Sequence, residues 1–224
     1  MNCLNARQKG SRRDREIVHA VEEYGVLNTE QVTALFFSRI QYGQRKAQER
    51  LLKLYKRERL QRWPGEVPYC YYLKKPGQLQ HKIGLNWIRI WLEKECRSWE
   101  KMHAWKYELD HGVLRADGFV AVKNPITKKF RFMFIEMDRA TNEFDKVKKY
   151  NKLYESGKYL GDWWVKLSWR FPPILVVTTS RGRMEKIVQL VEEQNTANLE
   201  FRVRLLDDIR EEVLKKCGKD YAVL

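Results

Sequence analysis

The chain has 224 residues, enough for one large domain or two small ones, and carries 44 Lys and Arg against 29 Asp and Glu, a net charge of +15. With a sequence pI near 9.7, this excess points to a polyanionic partner: double-stranded DNA first, an anionic membrane surface second. No apolar run approaches the roughly 20 residues that span a bilayer, and the stretch MNCLNARQKGSRRDR has no apolar signal region, so a soluble cytoplasmic protein with no membrane partner is expected.

The four cysteines, Cys3, Cys70, Cys96 and Cys217, show neither CxxC spacing nor pairing with histidine. They are read as free thiols in a reducing compartment, without a zinc site or a disulfide framework. Residues 1–13 hold Arg7, Lys9, Arg12 and Arg13 with little apolar content and are expected to form a flexible basic arm. From Arg15, the positions Ile17, Val18, Val21 and Tyr24 have helical spacing, and Gly25 suits a left-handed helix end. Asn28, with Gln31 three residues on, has the spacing of a capping box, and Val32, Leu35 and Phe36 give the next helix an apolar face.

Tyr42 to about Leu60 reads as a basic amphipathic helix with Ala47, Leu51, Leu54 and Tyr55 as its buried stripe. The runs LQRW and YCYYL flank the turn PGEVP and read as a short hairpin. Three helices followed by a hairpin make a winged helix-turn-helix the leading assignment for residues 14–78. In that fold the third helix enters the major groove, so Gln44, Arg45 and Gln48 are candidate base readers; Lys46 shares their basic surface, and Lys53, Arg57 and Arg62 are candidate phosphate contacts. The competing reading is a solvated basic helix of a protein-binding module. Charge favours DNA, because residues 1–78 hold 16 Lys and Arg against 8 Asp and Glu, a denser excess than in the longer remainder. Lys74, Lys75, Pro76 and Gly77 break the pattern and mark the expected domain boundary.

Residues 79–224 are expected to form a second domain. A helix over His81 to about Trp99 is followed by an extended segment, Met102 to Leu109. Val113–Val122 and Phe130–Asp138 then read as a hairpin closed by KNPITKK. Glu136 and Asp138, two apart on one strand, share a face, and a matching register would bring Asp117 beside them. Such a carboxylate cluster is costly inside a sheet unless a cation compensates it. Frayed, solvated strand ends are the bland explanation; a site for Mg²⁺ or Mn²⁺ is the sharper one. Glu93 or Glu95 is a further candidate to face this cluster. A helix capped by Thr141 or Asn142, the apolar strand PPILVVTT, the helix RGRMEKIVQLVEEQ and the strand FRVRLL complete an order α-β-β-β-α-β-α-β. That order fits one mixed sheet with an antiparallel beginning and a later β-α-β crossover, packed on both faces.

The stretches ADGFVAV, FIEMDRATNEFDKVKKY and FPPILVVTTSRGR resemble the plasmid replication-relaxation family, the group that includes MobC-type relaxases of mobilisable plasmids. The resemblance covers nearly the whole chain in order, through short and degenerate motifs. It implies an α/β, mixed-sheet fold class: a winged helix followed by a restriction-endonuclease-like αβββαβ core of PD-(D/E)xK type. It also implies nicking of one DNA strand at an origin of transfer or replication, with replication or mobilisation proteins as partners.

On this resemblance Asp117 matches the first acid and Glu136 the second, and both, with Asp138, would hold the metal. Asp138 stands where ordinary nucleases keep a Lys, and Arg139 follows it. Ala116 replaces the family's Pro, a departure that touches only the strand entrance. The lost Lys matters more, since it polarises the attacking water or steadies the phosphorane charge. Lys146, expected about two turns into the next helix, is the preferred substitute, with Lys149 behind it.

A tyrosine nucleophile is the mechanistic competitor. The metal-binding histidine cluster of such enzymes is missing, because His19, His81, His103 and His111 are widely spaced. Tyr150 and Tyr154 are therefore read as core residues. Two non-catalytic functions compete with the nuclease: an accessory that locates a site and recruits an enzyme, and a regulator acting by DNA binding alone. Oligomeric state stays open, a homodimer being the form that suits a palindromic site.

Overall fold

A computed structural model describes residues 6–216, so Cys3 and Cys217 lie outside the described residues. The chain divides into two compact units, Met1–Ile90 with Glu211–Leu224, and Trp91–Arg210. Among the described residues no helix is long and apolar enough to cross a membrane.

The first unit follows the order α1 (Ala6–Tyr24), β1 (Val26–Asn28), α2 (Thr29–Phe36), α3 (Gly43–Lys56), β2 (Gln61–Arg62) and β3 (Cys70–Tyr72). Its three short strands form an antiparallel sheet in the order β1-β3-β2. The core is built from Ile17, Val21, Leu27, Val32, Leu51 and Leu54, all at most 1% exposed. The capping box is present: Asn28 Oδ1 accepts from Gln31 N (2.8 Å), and Gln31 Oε1 accepts from Asn28 N (3.1 Å). The Gln31 amide nitrogen donates to the Ile83 carbonyl (2.9 Å), so both ends of this fully buried polar side chain are engaged.

Two expectations for this unit are corrected. Residues 6–13, taken as part of a flexible arm, are the first turns of α1; Arg12 pairs with Glu16 (2.8 Å), and Arg50 of α3 bonds both Asp14 and the Gly10 carbonyl. The remaining residues of that arm, 1–5, lie outside the described residues. The third helix ends at Lys56 rather than near Leu60, because the chain turns through Glu58 at φ 57°.

Helix α4 (Leu79–Glu95) runs from the first unit into the second. The second unit continues with β4 (Lys101–Asp110), β5 (Arg115–Lys123), β6 (Phe130–Asp138), α5 (Lys146–Ser156), β7 (Ile174–Thr178), α6 (Arg181–Gln194), β8 (Phe201–Leu205) and the start of α7 (Leu206–Lys216). The five strands lie in the order β4-β5-β6-β7-β8. The first three are antiparallel and the last three parallel, as the β-β-β then β-α-β-α-β order requires. One face carries an aromatic core in which Phe119, Phe132, Phe134 and Trp164 pack with Val147, Tyr150 and Leu153 of α5 and Ile187 of α6. Val120, Val122 and Met133 line a cavity with Trp91, Leu92 and Glu95 of α4. Helix α7 is an addition to the expected order, and α5 begins at Lys146 with Asp145 as its cap residue, not at Thr141 or Asn142.

Candidate active site

Strands β5 and β6 pair as far as Gly118 with Ile135, so Asp117 and Glu136 come next along the two strands. There the Asp117 carboxylate takes the place of a ladder carbonyl and accepts from Met137 N (2.8 Å). Glu136 is 1% exposed on the core face of β6. The Tyr150 hydroxyl donates to its Oε1 (2.8 Å), and Lys146 Nζ stands 2.7 Å from its Oε2. The same ammonium donates to the Arg115 carbonyl (2.7 Å), so Lys146 is shared between the Glu136 carboxylate and the β5 backbone.

Burial pushes the Glu136 carboxyl up to about 8, the Asp117 charge adds to the rise, and the Lys146 ammonium and the Tyr150 hydroxyl oppose it. Tyr150 is held well above its ordinary value, first by burial and then by the charge of Glu136. Two acids pressed together in a poorly solvated corner favour a cation or a proton between them. Lys146 supplies part of that charge. It does so from the first turn of α5, not from two turns in, because the helix starts late.

Asp138 is engaged elsewhere. Arg183 holds it with Nε to Oδ2 and Nη2 to Oδ1, both 2.9 Å, while Thr178 donates to Oδ2 (3.0 Å). The pairing raises Arg183 above its ordinary value, through the hydrogen bonds before the charge. Arg183 also donates to the Asn142 carbonyl, which ties the loop after β6 to α6 ahead of the start of α5. The three acids are thus split between two cationic partners, and among the described residues no cluster of three acidic, histidine or cysteine side chains is disposed to hold a metal ion.

Asp117 and Glu136 remain as a hard-oxygen pair of the kind that holds Mg²⁺ or Mn²⁺, with the Lys146 ammonium now at the Glu136 Oε2 that a dication would take. Glu95 does not join them, since it lines the cavity with Val120, Val122 and Met133, whose β6 member alternates away from Glu136. Lys149 is exposed and paired with Asp145 (2.6 Å), and Arg139 is exposed.

On the first unit, Gly43, Ala47, Leu51 and Leu54 are the buried stripe of α3. Gln44, Arg45, Gln48, Lys53 and Arg57 are exposed, and Lys46 is half-buried. Their spacing places Gln44 and Gln48 on one flank of the exposed surface and Lys46, Lys53 and Arg57 on the other, with Arg45 between. Arg62 of β2 stacks between the rings of Tyr55 (4.7 Å) and Tyr69 (4.4 Å), so its guanidinium is fixed beside the Gln48 flank. Tyr55, expected in the buried stripe, is 38% exposed for this purpose.

Sequence reasoning missed two partners, Tyr150 of Glu136 and Arg183 of Asp138. The only signal for the second was an SRGR stretch directly after an apolar strand. No family model matches the chain, no curated protein matches it, and no solved structure matches it.

Proposed function

We propose that the chain is a DNA-binding protein of a mobile element that nicks one DNA strand at an origin of replication or transfer, in a metal-dependent reaction. The observation that carries this is the meeting of Asp117, Glu136 and Lys146 where β5 and β6 separate, with the Lys146 ammonium 2.7 Å from the buried Glu136 carboxylate. Two carboxylates and a lysine are the groups that phosphodiester hydrolysis needs. The order α-β-α-α-β-β of the first unit matches that of a winged helix-turn-helix, which would present α3 to the major groove. The resemblance to the replication-relaxation family names the setting.

Asp117 and Glu136 would hold Mg²⁺ or Mn²⁺, which supplies Lewis-acid activation of a phosphate oxygen and a more acidic bound water. Lys146, beside the same carboxylate, would neutralise charge on the phosphate. Tyr150 fixes the Glu136 carboxylate against rotation. Asp138 has no chemical part here; through Arg183 it positions the loop that leads to Lys146.

The second reading is a non-catalytic accessory in which the Lys146–Glu136 and Arg183–Asp138 pairs are structural. The saturation of Asp138 by Arg183, at the position where nucleases keep a lysine, favours it. Incubation of supercoiled plasmid carrying the neighbouring origin, with and without Mn²⁺, separates the two. Conversion to open circle by the wild type, lost in Asp117→Ala/Glu136→Ala with duplex binding retained, is expected of the nuclease. Tight binding without nicking selects the accessory.

A further inference from the structure

Between α5 and β7 the chain makes two short 3-10 turns, Lys158–Gly161 and Val165–Leu167. The segment is firmly anchored. Trp164 is buried in the aromatic core and lies parallel to Tyr159 (5.7 Å, 8°), which lies parallel to Tyr154 (6.0 Å, 9°). Asp162 accepts from Trp164 Nε1 (3.0 Å) and pairs with His111 (2.7 Å).

What this anchored segment leaves outside is apolar. Trp169 is 89% exposed, Leu160 62%, Leu167 48%, Tyr154 41% and Trp163 38%. Single exposed apolar side chains are ordinary, but this group falls between residues 154 and 169 of one rigid stretch, and such patches mark binding surfaces. Its setting is basic: Lys158, Lys166 and Arg170 stand in the same segment, against Glu155 and the engaged Asp162, and Glu200 pairs with Arg170 at 3.5 Å. The Arg170 guanidinium lies 5.2 Å from the Trp169 ring centre. Exposed rings interleaved with cations are the elements of single-strand binding, in which bases stack and the backbone is neutralised without sequence readout. One of these rings, Trp163, lies on the face of the sheet that carries Glu136. Trp163 packs edge-on against Phe132 (5.5 Å), and Phe132 precedes Glu136 by four residues on β6, about 13 Å along the strand.

We propose that the segment from Tyr154 to Arg170 is a base-stacking platform for single-stranded DNA, centred on Trp169 and Trp163. It rests on the proposed DNA role only for the choice of polyanion, and it uses none of the residues assigned to duplex binding or to nicking.

The test is fluorescence anisotropy of the full chain with a labelled oligothymidine and with a duplex of equal length. Trp169 is almost wholly exposed, so Trp169→Ala does not threaten folding, and Trp169→Phe keeps a stacking face. Trp169→Ala should weaken oligothymidine binding about 5- to 150-fold, with duplex binding unchanged, and Trp169→Phe should restore most of the loss. Arg45→Ala/Arg57→Ala should do the reverse. Oligothymidine affinity unaffected by Trp169→Ala overturns the platform. So does an equal loss on both DNAs, or Trp169-dependent capture of anionic phospholipid vesicles without oligothymidine binding. Trp169-dependent oligothymidine binding by a protein that never nicks overturns the nuclease and leaves the platform standing.

Discussion

Glu136→Gln keeps an acceptor for Tyr150 and removes a charge whose burial lifts the carboxyl from 4.5 to about 8. Each unit is worth about 1.4 kcal/mol, so the ionised side chain opposes folding by up to ~5 kcal/mol, and by about 2 kcal/mol if half the rise belongs to its coupling with Asp117. Because the folded-state value is raised, the folded protein holds the proton more tightly than the unfolded chain. The stability this group contributes is therefore full below about pH 4.5 and is lost as the pH climbs through about 8. Glutamine does not titrate. Urea unfolding of wild type and variant in EDTA should show a small difference near pH 5 and a variant more stable by about 2–5 kcal/mol at pH 8.5. Titrating groups away from Asp117, Glu136 and Lys146 cancel in the comparison. A difference independent of pH, or a variant that loses ground as pH rises, would refute the reasoning, since it would mean that Lys146 keeps Glu136 ionised throughout.

Lys146→Met removes the first cation opposing the Glu136 rise; the pH at which wild-type stability falls should move upward, and nicking should vanish with duplex binding intact. Arg183→Ala strands Asp138, whose side chain is 10% exposed, and should cost about 3–5 kcal/mol in urea unfolding, part of it recovered by adding Asp138→Asn. Asn28→Ala breaks the capping box and should cost about 1 kcal/mol, read as a lower urea midpoint. Lys53→Ala/Arg57→Ala should reduce the salt dependence of duplex binding by a slope of about 2, with an unchanged slope arguing against α3 as the DNA surface.

Elements governed by local rules were legible in the sequence. The Asn28–Gln31 spacing announced the start of α2, the alternation on either side of KNPITKK announced β5 and β6, and Gly157, at φ 63°, ends α5 as expected. Strand β1 was not legible, because three residues give no period and its pairing partner, β3, lies more than forty residues away. Helix α7 follows β8 without any turn residue between Leu205 and Leu206, so nothing marked the change.

The acids were found by their shared face and by the register of the hairpin. Their partners were not, for a physical reason. Arg183 meets Asp138 only because β6 and β7 run parallel with Asp138 opposite Thr178, which sets the start of α6 beside the end of β6. Tyr150 has the spacing of a core residue and is one; that its hydroxyl ends on Glu136 depends on how α5 crosses the sheet.

Calorimetric titration of Mn²⁺ into the full-length protein tests the central claim, that Asp117 and Glu136 form a cation site, without depending on a DNA substrate. Saturable binding to the wild type and to Arg45→Ala, absent in Asp117→Asn/Glu136→Gln, is the predicted result. No saturable binding to the wild type, or binding that survives in the double variant, would contradict it and leave Lys146 as the cation that Glu136 pairs with.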